Sequence, residues 1–225
     1  MPKKNTRNFI GYGAKGRKIS WPNNARLALQ IVLNYEEGGE NCVLNGDKHS
    51  ETFLSEIIGA KAIKGRHISM ESIYEYGSRA GFWRLDKLFK EKKIPVTIFG
   101  VGLALKQNPE VCEAIKKGNY EIAAHGYRWI DYQNVKKSVE KKHMKQAINV
   151  IKEIFGSRPL GWYTGRCSPN TRDLVFDDGN FIYDSDSYSD DLPYWEYRGK
   201  KKQLIIPYTL DNNDMRFATN QGFNT

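Results

Sequence analysis

Cysteine is scarce: the 225 residues hold three, Cys42, Cys112 and Cys167, widely spaced and odd in number. They form no CxxC pair and no disulfide framework, which excludes a cystine-stapled secreted module and makes a reducing compartment the default. Long apolar runs are missing as well. No stretch approaches the ~20 residues a bilayer-spanning helix needs. The opening MPKKNTRNFIGYG carries positive charge with no apolar segment behind it, so it does not read as a secretory signal. These absences predict a cytoplasmic protein with no membrane contact. A nucleic-acid-binding module is also lacking. The formal net charge is +9, but the excess is mostly lysine, in short runs such as Lys136-Lys137, Lys141-Lys142 and Lys200-Lys201-Lys202. Sequence-specific readers favour arginine on a recognisable module, so the excess reads as a solvated surface and no nucleic-acid partner is expected.

What is present suffices for one sizeable core: 40% of residues are hydrophobic, 12% aromatic and 27% charged. Residues 1–25, rich in Gly, Lys, Asn and Pro, read as an irregular N-terminal arm, and 26–225 as the folded domain. Within the arm Gly11, Gly13 and Gly16 satisfy G-x-G-x-x-G, but no strand precedes them and Trp21-Pro22 follows, so the dinucleotide reading is rejected. From Arg26 a strand–helix rhythm sets in. Residues 27–33 are a nearly unbroken apolar run, as in a strand buried on both faces. Ser69 is placed to cap a helix carrying Ile73, Tyr76, Ala80, Trp83 and Leu88. Pro95 opens the strand VTIFGV, Asn108-Pro109 starts a helix ended by Gly118, and a strand covers 120–124. A long helix is expected over 139–155, closed by Gly156. A strand over 160–164, a helix from Ser168-Pro169 to Gly179, and strands over 181–184 and 204–208 follow. Such alternation predicts an α/β fold with a parallel sheet. Six strands fall short of the eight of a closed barrel, and the terminal QGFNT shows no finishing element, so a C-terminally truncated domain is expected.

Chemistry in such sheets gathers beyond the carboxyl ends of the strands. There the sequence puts Glu36-Glu37 before Gly38-Gly39, then His125-Gly126 with Trp129, Gly165-Arg166, Asp184 and Asp186, and Asp211 and Asp214. Each alone reads as a loop residue or a cap; five strands delivering ionisable groups to one rim point to a site. Trp162 and Tyr163 read either as pocket wall or as core. His143 is expected to face solvent, His49 and His67 to make structural hydrogen bonds, and Asp177-Asp178 to lie at the surface of a helix end. Residues 38–67 form a long loop, readable as a lid over a small-substrate pocket or as an oligomer contact.

The carboxylate pair, histidine, arginine and aspartates in this order resemble the polysaccharide deacetylase (NodB-homology) superfamily. The blocks WPNNARLALQIVLNYEEGGENCVL, HISMESIYEYGSRAGFWRL, PLGWYTGRCSPNTR, YDSDSYSDDLPYW and IPYTLDNNDMRFA look like its PuuE-type allantoinase branch. The resemblance runs over nearly the whole chain. It implies a distorted (β/α) barrel, hydrolysis of carbon–nitrogen bonds and assembly as a homo-oligomer. Two departures matter. Metal-dependent members carry an Asp-Asp pair where Glu36-Glu37 stand, and a second histidine where Trp129 stands. An indole N–H only donates and cannot bind a cation, which leaves two candidate ligands where a catalytic zinc usually takes three. No metal ligand and no cofactor are therefore expected. The family's final active-site histidine lies on a later strand, which these residues do not include.

The resemblance implies opening of the hydantoin ring of allantoin to allantoate, a step of purine catabolism. Glu36 would act as general base on water, with Glu37 orienting it or raising its pKa. His125 or a backbone N–H would stabilise the oxyanion or protonate the leaving nitrogen. Arg166 would bind the ureide or hold an acidic partner. Trp129, Tyr163, Asp184, Asp186, Asp211 and Asp214 complete the expected substrate-binding set. The rival readings are a divalent-metal N-deacetylase of amino sugars and a non-catalytic barrel fragment serving as a binding or assembly subunit.

Overall fold

The computed structural model describes residues 5, 7–57 and 59–218. The chain divides between Gln30 and Ile31 into two compact units. The first is irregular, with short 3-10 turns at Gly13–Lys15 and Pro22–Asn24; the three glycines of the rejected dinucleotide pattern have neither strand nor α-helix beside them.

In the second unit β1 (Val32–Tyr35), α1 (Ile68–Tyr76), α2 (Phe82–Lys92), β2 (Thr97–Gly100), α3 (Gly102–Gln107), α4 (Pro109–Gly118), β3 (Glu121–Ala124) and α5 (Lys137–Phe155) come first. β4 (Gly161–Trp162), α6 (Thr171–Asp178), β5 (Tyr183–Asp184), β6 (Tyr194–Arg198), β7 (Lys201–Ile205) and α7 (Met215–Ala218) complete it. The seven described strands form one sheet in the order β1-β2-β3-β4-β5-β7-β6. Every pairing is parallel except β6 with β7. This is the α/β architecture of the distorted barrel the sequence implied.

Alternation along the strands sorts the core into two faces. Ile98, Ala124 and Trp162 face the helices, among Leu105, Val111, Ile115, Ala147 and Ile151. Phe99, Ala123, Tyr163 and Tyr183 face the other way and gather Val32, Leu204 and Tyr208. Residues of the second parity at the carboxyl ends of strands therefore point into one interior.

Several local expectations need correction. The first strand is not 27–33 but Val32–Tyr35, because only there does the chain find β2, from Val32 against Thr97 to Tyr35 against Gly100. Ser69 is not the cap; the helix starts at Ile68, after His67. It then passes through a π turn, Gly77–Gly81, directly into α2. Asn108 does cap α4, its Oδ1 accepting from Val111 N–H at 3.1 Å, but the left-handed residue that ends the helix is Asn119, one beyond Gly118. The hairpin β6–β7 makes seven strands rather than six, and its second strand begins at Lys201, not Leu204. Arg198 pairs with Lys201 across the two-residue turn Gly199-Lys200, with Gly199 at φ 57°, a glycine-first turn suited to a hairpin. His143 does not face solvent: it is half-buried, with Nδ1 2.9 Å from the Tyr132 hydroxyl, and burial lowers its pKa. His67 binds the Glu51 carbonyl at 3.1 Å, and Asp178 pairs with Arg158 at 2.6 Å. The segment QGFNT lies outside the described residues.

Candidate active site

β1 and β3 flank β2, and at their carboxyl ends the chain places Glu36 and His125 on the interior side. Glu36 Oε1 lies 2.9 Å from His125 Nε2, and His125 Nδ1 lies 2.8 Å from the Tyr163 carbonyl oxygen. A carbonyl only accepts, so Nδ1 carries a proton. The Nε2–Oε1 contact then requires one further proton, held as an imidazolium–carboxylate pair or as neutral imidazole with a carboxylic acid. His125 is 2% exposed, which keeps that proton out of bulk water. The imidazole is also stacked on the Tyr163 ring, 5.0 Å between centroids, and Tyr163 stacks on Tyr208 at 4.5 Å. The imidazole ring is thus fixed at both nitrogens and on a face.

This pair opens into a cavity of about 420 Å³, whose wall also includes Asn34, Tyr74, Trp129, Tyr163, Arg166 and Asp214. Trp129 is buried, packing edge-on to Tyr74 at 5.9 Å, while its backbone N–H donates to the Gly39 carbonyl. The Arg166 guanidinium lies 3.5 Å over the Trp129 ring centroid and 4.8 Å over that of Phe53, and pairs with Glu51 at 3.3 Å. Phe53 and Glu51 come from the long loop, which folds on itself: Ser50 N–H donates to the Ile63 carbonyl and Thr52 Oγ1 to that of Ala60. Arg166 ties the part of this loop around Glu51 and Phe53 to the barrel.

Glu37, adjacent to Glu36, has a different environment. Its Oε2 accepts from the Glu36 backbone N–H at 2.9 Å. Its Oε1 presses on the π turn so closely that a Cβ on Gly77 would stand 2.0 Å from it. Burial, and then the charges of Glu36 and Glu40, push its carboxyl up to about 7 against the pull of two backbone N–H groups.

The aspartates after β5 do not line the cavity. Asp186 accepts from the Thr164 N–H at 2.8 and 2.9 Å and from the Gly165 N–H at 2.8 Å, bracing the end of β4. Asp184 is fully buried, 3.2 Å from Arg172 Nε, and Arg172 also binds Glu196. Burial raises the pKa of both, and their proximity raises that of Asp184 further. Asp214 reaches the cavity rim beside Asn213 and Met215, whereas Asp211 is exposed and away from the wall. Sequence reasoning passed over Arg128, Arg172 and Tyr208. Arg128 holds the loop after β1 by the carbonyls of Gly39 and Glu40 and an ion pair with Asp47. Tyr208 had a readable signal, an aromatic just beyond a strand end; the partners of the two arginines are set by tertiary packing.

A fold with catalytic-type carboxylate and imidazole at the strand ends defines a class of hydrolase, and comparison with known proteins gives it a family. The profile of the polysaccharide deacetylase family matches residues 64–174. A Schizosaccharomyces pombe protein named as a polysaccharide deacetylase is 40% identical over 238 residues, 97% of this chain and 74% of that protein. Among solved structures, one titled a polysaccharide deacetylase from Pseudomonas aeruginosa PAO1 is 57% identical with a TM-score of 0.93, over 98% of this chain and 74% of that one. The crystal structure of a PuuE allantoinase is 55% identical with the same TM-score of 0.93, over 99% of this chain and 74% of that one. The chain belongs to the polysaccharide deacetylase (NodB-homology) superfamily and is a hydrolase of the deacetylase type. Among the described residues no helix is long and apolar enough to cross a membrane.

Proposed function

We propose that the chain carries the site of a cyclic-amide hydrolase that opens the hydantoin ring of allantoin to allantoate without a metal. The observation that carries this reading is the direct Glu36–His125 contact of 2.9 Å. In the metal-dependent relatives a cation would stand between such groups. Here His125 Nδ1 is engaged by the Tyr163 carbonyl, Nε2 by Glu36, and the third position is an indole that only donates. Glutamate, one methylene longer than aspartate, reaches the imidazole itself. Among the described residues no group of three His, Cys, Asp or Glu side chains is arranged to hold a metal ion. This donor set does not fit a catalytic zinc, which usually takes three protein ligands. The high identity to a PuuE allantoinase supports the substrate.

In this reading Glu36, as carboxylate, takes a proton from the attacking water, and imidazolium His125 gives its Nε2 proton to the developing oxyanion or leaving nitrogen. The Tyr163 carbonyl holds the imidazole in the orientation that keeps Nε2 toward the substrate. Arg166, placed over Trp129, presents its guanidinium to the ureide carbonyls. The ring carbonyl between the ring carbon and the imide nitrogen is more electrophilic than an acyclic amide, because that nitrogen shares its lone pair with a second carbonyl, so two protonic groups suffice.

Loss of allantoin is the assay, measured for the wild-type protein and for Glu36→Gln with and without chelator. The expected result is a chelator-insensitive rate that falls by roughly 10²–10⁴ in the variant, the usual worth of general acid–base catalysis. Near-normal turnover by Glu36→Gln removes the carboxylate from the mechanism. A chelated rate restored by zinc or cobalt, with release of acetate from N-acetylated amino sugars, establishes the metal-dependent deacetylase instead.

A further inference from the structure

We propose that Glu37 is the proton exit of this site, passing the proton released in each turnover from the catalytic cavity to a second, acidic cavity behind it. The inference rests on the ring-opening reading above. The balance of that reaction requires an exit. Water adds to the carbonyl, the C–N bond breaks, the ureide nitrogen takes one hydrogen, and the new carboxyl group ionises. The net change at neutral pH is one proton released per ring opened, because a ureide nitrogen is not basic. The Glu36–His125 pair begins with one shared proton and ends with two. His125 is 2% exposed and both its nitrogens are engaged, so the surplus leaves from the Glu36 side.

Glu37 is placed to receive it. It lines the catalytic cavity together with Glu36, and it also lines a separate cavity of about 300 Å³ on its other side; Tyr74 is likewise shared by both. The second cavity is walled by Tyr35, Glu40, Glu71, Glu75 and Asn108, among others. Tyr35 and Tyr74 are 1% and 6% exposed; among the described residues the Tyr74 hydroxyl has no hydrogen-bond partner, and that of Tyr35 has only Asn108 and Ser78 near it, without a well-formed hydrogen bond. Buried hydroxyls with hydrogen-bonding capacity to spare, in a polar space of this size, are the setting in which water is held, and a hydroxyl that can both donate and accept hands protons along. The groups facing Glu37 and this space are Glu36, Glu40, Tyr35 and Cys42 from β1 and the following loop, and Glu71, Glu75 and Tyr74 from α1. Ser78 comes from the π turn, Gln107 from the end of α3, and Asn108 stands at the start of α4. Arg66 pairs with Glu71, and Arg128 with Asp47 beside Glu40. The field is acidic and draws a proton outward. The π turn contributes the space: with any side chain at position 77 the Glu37 carboxyl would be displaced. With its carboxyl near 7, Glu37 takes up and gives off a proton at similar rates in neutral solution.

The test uses wild type, Glu37→Gln and Tyr74→Phe, with allantoin turnover measured at neutral pH in dilute and in concentrated imidazole buffer. Wild type should be indifferent to buffer. Glu37→Gln should slow by on the order of 10-fold or more in dilute buffer and recover as the small buffer molecule carries the proton instead; Tyr74→Phe should behave the same way, less steeply. An unchanged rate in Glu37→Gln, or a loss equal at all buffer concentrations, overturns the relay, the latter being the mark of a purely structural role. An infrared titration of the resting protein judges Glu37 without substrate. A carboxylic-acid band absent from Glu37→Gln should vanish in wild type around pH 7, and its loss near the ordinary 4.5 overturns the proposal. Wild type inert toward allantoin but with this band titrating around pH 7 would instead count against the substrate assignment alone.

Discussion

Replacing Glu37 by glutamine should stabilise the protein, and by an amount that grows with pH. The carboxyl moves from an ordinary 4.5 to about 7 on folding because burial and neighbouring carboxylates disfavour its charged form. A raised carboxylate pKa contributes stability that is complete below the unfolded value and is lost as pH climbs through the folded one. The window is therefore 4.5 to about 7. At about 1.4 kcal/mol per factor of ten in proton affinity, the native state gives up roughly 3 kcal/mol across that window. Glutamine escapes this loss: it stays neutral, and its carbonyl can still accept from the Glu36 N–H that Glu37 Oε2 now accepts. Urea unfolding of both proteins should show a difference below about 1 kcal/mol at pH 5 and about 3 kcal/mol in favour of the variant at pH 8, some 10 °C in Tm for a chain of this size. Groups remote from Glu37 titrate alike in the two proteins and cancel. A difference that is the same at the two pH values, or a variant less stable at pH 8, refutes the placement of this carboxyl. A residue that weakens the fold at working pH and whose removal slows turnover would be a trade of stability for activity.

Three other outcomes follow from the geometry. Gly77→Ala drives a Cβ to within 2.0 Å of Glu37 Oε1, and should cost about 1–3 kcal/mol by denaturation while lowering the Glu37 pKa, as its carboxyl is pushed toward water. Arg166→Lys keeps the charge but loses the guanidinium placed over Trp129 and Phe53; cleavage of the 51–66 loop by a protease should quicken about 5- to 30-fold, corresponding to roughly 1–2 kcal/mol, and an unchanged rate would show that Arg166 does not tie this loop down. Glu140→Ala removes the buried carboxylate that accepts from Ser168 Oγ at 2.6 Å and from Thr171 Oγ1 at the start of α6, and should destabilise by about 2–4 kcal/mol, read from the shift in urea midpoint.

The sequence alone determined what depends on neighbours along the chain. The strand–helix rhythm, the Asn108 cap, the glycine that closes α5 and the polar residues beyond the strand ends are local in origin and were readable as such. Tertiary structure decided whatever depends on which distant segment arrives. β1 sits at Val32–Tyr35 because β2 pairs there, not because the apolar run is centred there. Glu36 and Glu37 are adjacent and chemically identical, yet one faces His125 and the other the π turn, because successive side chains at a strand end take opposite faces. Asp184 and Asp186 looked like members of the same polar rim. They turn aside because Arg172, in α6, draws Asp184 by its charge and the backbone N–H groups of Thr164 and Gly165 hold Asp186; burial still outweighs these partners and raises the pKa of both carboxyls.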